Sequence, residues 1–268
     1  MKTIYHFSGA GNDFVVIDGR EGNVSAFREV PRIEALCREY KTDGLMILGQ
    51  DVMADPDRPS VDFTMEFYNP DGSGGMMCGN GGRCIVAFAD YLGIRPASGD
   101  VFLFRAPDGL HTGEILARPE DGLWEVRIKM IDVHGVTPML GGLFLNTGTR
   151  HFVKFVPDVE QVDIDTEGKA LRWDPAFAPI GTNVNFVHIA EDGLHVRTFE
   201  KGVEGETLAC GTGLTASAIA AYVRGFVPDG AVRLRARQDW LSVNFTPAGD
   251  GEFTDVYLTG PARLVEIR

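Results

Sequence analysis

A repeat at a fixed offset limits what this chain can fold into. A Cys-Gly-x-Gly turn occurs in MMCGNGGRC (76–84) and again in LACGTG (208–213). The offset that pairs Cys78 with Cys210 also pairs three other sets of residues: Phe67 with Phe199, Gly79 with Gly211, and Gly81 with Gly213. Two copies are too few for a solenoid, which needs at least about three repeats. The repeat therefore predicts two related lobes.

Each glycine turn leads into an apolar segment with the composition of a helix. RCIVAFADYLG and LTASAIAAYVRG both end at a glycine, as helices with a left-handed cap do. Neither segment has a polar face, so each helix should be enclosed by other elements. An earlier helix, VPRIEALCREY, buries Cys37 on its apolar face.

The rest of the chain consists of alternating apolar and polar runs broken by Gly, Asp and Pro, which is typical of strands. Strands should therefore outnumber helices in an α+β fold. We expect an N-terminal lobe at 1–116, a C-terminal lobe at 117–256, and a final strand at 257–268 that returns to the first lobe.

Composition narrows the class of partner. The 268 residues include 38 acidic and 25 basic side chains, a net charge of −13, which disfavours binding to nucleic acid or to an anionic membrane surface. No apolar run approaches the length of a membrane span, and the N-terminal sequence lacks the apolar core of a secretory signal. We therefore expect a cytoplasmic protein with reduced cysteines and a small-molecule ligand.

The cysteine-glycine turns favour a particular chemistry. A cysteine at the amino end of a helix lies beside unpaired backbone N–H groups and the positive end of the helix dipole, which stabilise a thiolate. The glycines let the same N–H groups approach a carboxylate closely. One such turn is weak evidence, but two in symmetric register indicate a shared function.

Two thiols facing one ligand suit inversion of a stereocentre. One group removes the α-proton from one face and the other delivers a proton to the opposite face, so one must be a thiolate while its partner is a thiol. The site is expected in the cleft between the lobes, where Cys78 and Cys210 lie on opposite sides of the bound molecule. This chemistry needs no metal ion and no pyridoxal cofactor.

Three segments carry a family resemblance. GAGNDFVVID (9–18), FYNPDGSGGMMCGNGGRC (67–84) and EGETLACGTG (204–213) resemble the signature segments of diaminopimelate epimerases, which are pyridoxal-independent amino-acid epimerases. The resemblance implies two lobes, each a mixed, mostly antiparallel sheet partly wrapped around a central helix. It also implies conversion of LL- to meso-diaminopimelate in lysine and peptidoglycan synthesis, usually by a homodimer.

The resemblance also implies roles for individual positions. Cys78 and Cys210 match the catalytic thiols, and Gly79, Asn80, Gly211 and Thr212 match the backbone donors around the reacting carboxylate. Glu200 resembles a contact to substrate ammonium. The other implied substrate contacts are Asn12, Asn69, Thr149, Asn183 and Lys201, with Asn185 competing with Asn183 for its role.

Some positions depart from the family pattern. Lys201 stands where an arginine is usual, and lysine cannot form the bidentate fork that arginine makes with a carboxylate. Thr149 replaces an asparagine, and its hydroxyl can make only part of the same contact. Gly44 stands where some members carry glutamine. These positions bear on recognition of the distal end of the substrate.

Alternative interpretations remain open. A related two-cysteine racemase acting on proline or hydroxyproline would share the thiol pair, and a binding protein could hold an anion at the paired helix ends without chemistry. Cys84 is expected to be a core residue, and Asn12 and Asn69 have competing roles in turns. His151 fits a hydrogen-bonded structural histidine at least as well as a catalytic one. Glu206 and Thr207 are expected to form a helix-entry or loop-bracing pair rather than to act in catalysis.

Overall fold

The computed structural model describes residues 2–51, 59–75, 77–228 and 230–268. The chain forms two compact units, one comprising residues 1–128 and 260–268 and the other residues 129–259. The sequence-based boundary at 116/117 falls within the strand Gly109–Glu120. The rest of that strand and the chain up to residue 128 belong to the first unit. In the described part of the chain, no helix combines the length and apolar character required to cross a membrane.

Among its described residues, the first unit contains the following strands and α-helices. They are β1 (Ile4–Gly9), β2 (Asn12–Asp18), α1 (Val30–Tyr40), β3 (Gly44–Gly49), β4 (Phe63–Tyr68), α2 (Gly79–Tyr91), β5 (Val101–Ala106), β6 (Gly109–Glu120) and β7 (Leu123–Lys129). A short 3₁₀ turn covers Ser25–Arg28. Parallel pairing joins β2 to β3 and β4 to β5, across the crossovers that contain α1 and α2.

The second unit holds the remaining elements. They are β8 (Val133–His134), β9 (Val136–Met139), β10 (Gly142–Asn146), β11 (Arg150–Phe155), α3 (Lys169–Arg172), β12 (Asn183–Ala190), β13 (Gly193–Glu200), β14 (Gly205–Thr207), α4 (Gly211–Val223), β15 (Ala231–Arg235), β16 (Trp240–Gly249) and β17 (Glu252–Ile267). Short helical turns cover Val159–Gln161, Ile164–Gly168 and Pro175–Phe177.

Strand β17 contributes to both units in turn. Its first part pairs with β16 and β8 within the second unit. Its last part pairs with β7 and with β1 within the first unit, for example Gly260 with Val126 and Tyr5 with Ile267. These last pairings join β1 to β7 through β17, so the strands of the first unit form a closed circuit of pairings.

Both units use the same order of pairings. From β1 to β7 the sequence is antiparallel, parallel, antiparallel, parallel, antiparallel, antiparallel. From β10 through β11, β12, β13, β15 and β16 to β17 it is identical. The predicted fold class, two related α+β lobes with mixed and mostly antiparallel sheets, is therefore confirmed.

One enclosed helix forms the centre of each unit. Helix α2 contacts β1, β2, β3 and β6, and helix α4 contacts β10, β11, β12, β13, β15 and β16. Their side chains are almost entirely buried, as the missing polar faces predicted. Each helix is followed by a left-handed glycine, Gly93 with φ 75° and Gly225 with φ 72°.

Candidate active site

The first cysteine turn positions Cys78 at the N-cap of α2. Its backbone is extended, with φ −99° and ψ 148°, and its Sγ accepts a hydrogen bond from Gly81 N at 3.2 Å. Gly82 N closes the first helical turn on the Cys78 carbonyl at 2.8 Å. The predicted placement of this cysteine at a helix start is confirmed.

The second turn positions Cys210 at the N-cap of α4 in the same way. Leu214 N bonds to the Cys210 carbonyl at 2.9 Å, which repeats the first turn of α2. The Cys210 side chain does not cap the described helix; its Sγ lies 3.4 Å from Thr212 Oγ1. The two turns therefore share a backbone course, and each sulfur has a polar contact within its own turn, Gly81 N for Cys78 and Thr212 Oγ1 for Cys210.

Two of the predicted substrate contacts lie together beside the first turn. Asn80 Nδ2 donates to Asn12 Oδ1, and Asn12 Nδ2 in turn lies 3.3 Å from Asp43 Oδ2. The Asn80 Oδ1 atom accepts from Arg83 Nη2 at 2.9 Å. A hydrogen-bonded chain thus runs from a buried arginine through both asparagines to an exposed carboxylate.

Asn69 lies in a tight turn immediately after β4. Its side-chain Nδ2 donates to Ser73 Oγ at 3.0 Å, and its backbone N donates to the Ser73 carbonyl at 2.9 Å. Asp71 fixes Ser73 further by accepting from its backbone N at 2.9 Å. The turn interpretation of Asn69 is therefore correct for its local structure.

Beside the second turn, His151 is the centre of a buried polar network. Its Nε2 lies 2.9 Å from Thr149 Oγ1 and 2.9 Å from Thr212 Oγ1. Asn185 Nδ2 donates both to the Phe152 carbonyl and to His151 Nδ1, so Nε2 carries the ring proton. Complete burial lowers the pKa of His151 to about 3, so the ring is neutral at physiological pH. The hydroxyls of Thr149 and Thr212 therefore share one donor, the Nε2–H group of His151.

Asn183 and Asn185 occupy alternate positions on β12 and have different partners. Asn183 Nδ2 donates to the Arg150 carbonyl at 2.8 Å, and its Oδ1 accepts from Lys201 N at 2.7 Å. Asn185 is fully buried, and its Oδ1 accepts from Thr198 Oγ1 at 2.9 Å. Asn183 thus joins Thr149 to the end of β13, whereas Asn185 orients His151.

Glu200 and Lys201 mark the end of β13. Thr207 Oγ1 donates to Glu200 Oε2 at 2.9 Å. Nearby, Glu206 binds Arg197 through two hydrogen bonds of 2.7 Å, and these bonds to Arg197 hold the pKa of the Glu206 carboxyl below its usual range. Glu206 therefore fits the bracing role expected from the sequence.

The remaining cysteines are core residues, as predicted. Cys37 and Cys84 are 3% and 0% exposed. Burial raises the pKa of both thiols, which keeps them protonated and unreactive near neutrality. All four cysteines lie in the described part of the chain, and none of them forms a disulfide.

Comparison with known proteins assigns the family. The family model described as diaminopimelate epimerase matches residues 4–109 and 143–265. The diaminopimelate epimerase of Chlorobaculum tepidum is 39% identical over 96% of this chain and 97% of its own length. That of Aquifex aeolicus is 38% identical over 96% of this chain and 93% of its own length.

The chain belongs to the diaminopimelate epimerase family. Solved structures of lower identity share the fold. A PhzF-family phenazine biosynthesis protein of Bacillus anthracis superposes with a TM-score of 0.75 over 100% of this chain and 98% of its own, at 11% identity. A hydroxyproline epimerase of Agrobacterium vitis superposes with a TM-score of 0.64 over 100% of this chain and 91% of its own, at 16% identity.

One departure from the family pattern has a steric explanation in the structure. A Cβ atom placed on Gly44 would lie 2.8 Å from the Tyr68 carbonyl oxygen and 3.1 Å from the Phe67 ring. A glutamine at this position therefore does not fit this backbone without movement of β4.

Three residues of these networks were missing from the sequence-based site. His151 and Asn185 were recognised only as alternatives, because nothing local in the sequence shows that β11 and β12 are parallel neighbours. Arg83 was missed although the repeat contains a signal for it. The offset between the two copies pairs Arg83 with Thr215, so a charged and a neutral residue occupy equivalent positions.

Proposed function

We propose that this protein is a cofactor-independent diaminopimelate epimerase that converts LL-2,6-diaminopimelate to meso-diaminopimelate. The observation that carries the proposal is the pair of cysteine-capped central helices, at Cys78 and Cys210, in a chain of this family. The other two cysteines give a contrast within the same molecule, because Cys37 lies inside α1 and Cys84 inside α2, and neither stands at the start of a helix.

The proposed reaction uses the two thiols as acid and base. One thiolate removes the α-proton and becomes a thiol, while the other thiol protonates the opposite face of the α-carbon and becomes a thiolate. Product release leaves the two protonation states exchanged. Activity should follow a bell-shaped pH profile whose limbs belong to the pair rather than to either cysteine.

The developing carbanion needs stabilisation of charge on its carboxylate. The backbone N–H groups in the first turns of α2 and α4 are suitable donors, since the first N–H groups of a helix lack carbonyl partners within it. We assign this role to Gly79, Asn80, Gly211 and Thr212. The helix dipoles act in the same direction.

The remaining substrate contacts are assigned by position. Asn12 lies beside Asn80, and Thr149 and Asn183 belong to the network around Thr212. Glu200 and Lys201 are assigned to the ammonium and carboxylate groups of the substrate, and Asn69 to its distal end. A cytoplasmic homodimer serving lysine and peptidoglycan synthesis completes the proposal.

Isotope exchange tests this function. The protein is incubated with LL-diaminopimelate in deuterated water, and inversion is followed by chiral chromatography together with α-deuterium incorporation by NMR. We expect both signals in the wild type and their loss in Cys78→Ala and in Cys210→Ala. Cys37→Ala is the matched control, because this thiol is buried in α1, and it should retain activity.

Two results would reject the proposal. Inversion that survives in either single cysteine variant would exclude the two-thiol mechanism. Exchange with proline or hydroxyproline but not with diaminopimelate would instead identify the related racemase activity.

A further inference from the structure

The two cysteine turns differ by one full charge at equivalent positions. Arg83 and Thr215 each occupy the fifth position of their helix, and the offset of the repeat pairs them. Both satisfy the carbonyl of the residue after the cysteine: Arg83 Nη1 donates to Gly79 O at 3.2 Å, and Thr215 Oγ1 donates to Gly211 O at 3.0 Å. The contact is the same, but one donor is a cation and the other is neutral.

The guanidinium of Arg83 lies in the protein interior. Arg83 is 0% exposed, and its Nη2 and Nε atoms donate to the neutral acceptors Asn80 Oδ1 at 2.9 Å and Pro261 O at 3.4 Å. A charge in this position is screened far less than a surface charge. Arg83 bonds to the carbonyl of Gly79, the residue that follows Cys78, and an opposite charge near a thiol favours its anionic form.

The direct contacts of the two sulfurs add to this asymmetry. Cys78 Sγ accepts a hydrogen bond from Gly81 N at 3.2 Å, which stabilises a thiolate. Cys210 Sγ has Thr212 Oγ1 at 3.4 Å, and that hydroxyl is in turn contacted by the neutral His151. Among these contacts, the second turn has a threonine and a neutral histidine, and the first has a buried cation bonded to the residue after its cysteine.

We propose that Arg83 is a positioning residue that makes Cys78 the resting thiolate and leaves Cys210 as the resting thiol. The proposal rests on the proposed function in taking these two thiols as the reacting pair. The resting enzyme is then ready to remove a proton from one epimer, and it accepts the other only after the protonation states have exchanged.

Other charged groups near the two turns are more solvated than Arg83. Three carboxylates lie beside the first turn. Asp13 contacts His6, and Asp43 accepts from Asp13 N. Asp108 accepts from Met77 N at 3.2 Å and pairs with His111. Near the second turn lie Glu200 and the Glu206 carboxylate with Arg197 and Arg237. The side chains of Asp13, Asp108 and Glu206 are 35%, 21% and 24% exposed, so solvent weakens their effect relative to the buried guanidinium.

The wild-type protein permits a direct test. Alkylation by iodoacetamide is measured as a function of pH, and peptide mass spectrometry assigns the rate to each cysteine. We expect the Cys78 rate to inflect about one pH unit or more below the Cys210 rate, the effect of one close opposite charge. Inflection of Cys210 at the same or a lower pH would overturn the proposal. The position of each inflection does not depend on how accessible the sulfur is.

Two substitutions separate charge from structure. Arg83→Met removes the charge and should move the Cys78 inflection upward by about one pH unit, whereas Arg83→Lys retains the charge and should leave it low. Thr215→Val is the matched control in the second helix and should not move the Cys210 inflection to the same extent. Equal inflections in the Met and Lys variants would assign Arg83 a structural role only.

The readout is independent of turnover. A protein with the expected inflections but no activity on diaminopimelate would reject the proposed function and retain the thiol asymmetry. If Arg83→Met does not fold, as judged by circular dichroism, Arg83→Gln, which removes the charge and keeps a hydrogen-bond donor, takes its place in the comparison with Arg83→Lys.

Discussion

At the scale of single residues, Thr149 shows how the family departure is accommodated. Its hydroxyl lies 3.2 Å from Asn183 Nδ2, 2.9 Å from His151 Nε2 and 3.3 Å from Thr212 Oγ1. Threonine therefore joins three residues around the second cysteine turn. The hydroxyl, rather than the side-chain volume, is the feature these contacts require.

Replacing Thr149 tests this assignment. Thr149→Val keeps the shape but removes the hydroxyl, and we expect it to lower the free energy of unfolding by about 1 kcal/mol because buried donors lose a partner. Thr149→Ser is the control and should lose less. Urea denaturation measures both, and equal stability of the Val variant and the wild type would contradict the assignment.

The burial of His151 predicts that the stability of the protein depends on pH. Its folded pKa of about 3 lies below the usual 6.5, so between these values the unfolded chain binds a proton that the folded protein excludes. The stability that depends on keeping His151 neutral is complete above pH 6.5 and is lost as the pH falls toward 3. We expect about 2 kcal/mol of stability to be lost between pH 7.5 and pH 5 from this residue alone. The loss should shrink in His151→Asn, and an unchanged pH dependence in that variant would contradict the prediction.

At the scale of elements, the two central helices begin alike but have different surroundings. A Cβ on Gly81 would lie 3.3 Å from both Cys78 Sγ and Met46 Sδ, a tight contact with flexible neighbours. A Cβ on the equivalent Gly213 would overlap Asn185 Oδ1, which is buried and hydrogen-bonded. The repeat has therefore kept glycine for different reasons in the two units.

Alanine at each position should separate these reasons. Gly81→Ala gains helix propensity of about 1 kcal/mol, which offsets its contacts and leaves stability nearly unchanged. Gly213→Ala should lose about 1–3 kcal/mol through overlap with Asn185. Thermal and urea unfolding of the matched pair measure the difference, and equal losses would refute it.

The sequence was most informative where the signal is local. The cysteine caps, the enclosed helices and their terminal glycines follow from turn chemistry and apolar periodicity, and all are present in the structure. The His151 network could not be read in the same way, because it depends on the register that sets His151 beside Asn183 across a parallel strand pair. The cysteines at the two helix starts and the enclosed helices were thus predictable from the sequence, and the contacts around His151 were not.

At the scale of the whole molecule, β17 carries consecutive segments of two units in one strand. Residues 260–268 belong to the first unit, although the whole of the second unit, residues 129–259, precedes them in the chain. The sequence analysis expects a final strand at 257–268 that returns to the first lobe, without naming its partners. Composition and periodicity do not indicate which partners a C-terminal strand will choose.

Truncation tests the importance of this segment. A chain ending at Thr259 removes one of the two pairing partners of β1 and of β7, so the amides of these strands that face β17 should lose protection from hydrogen exchange. Strands β12 and β13 should retain it. Val265→Ala, at an exposed position of the same strand, is the control and should change little. Unchanged protection of β1 in the truncated chain would contradict this prediction.

The placement of β17 also sets an order of events during synthesis. During synthesis, N-terminal domains generally fold first, and the ribosome adds about 5–20 residues per second. Here Tyr5 pairs with Ile267, and the whole of the second unit, residues 129–259, is made between these two partners. The strands of the first unit cannot complete their circuit until the chain of the second unit has been made. The unit whose synthesis begins first is therefore the last to be finished.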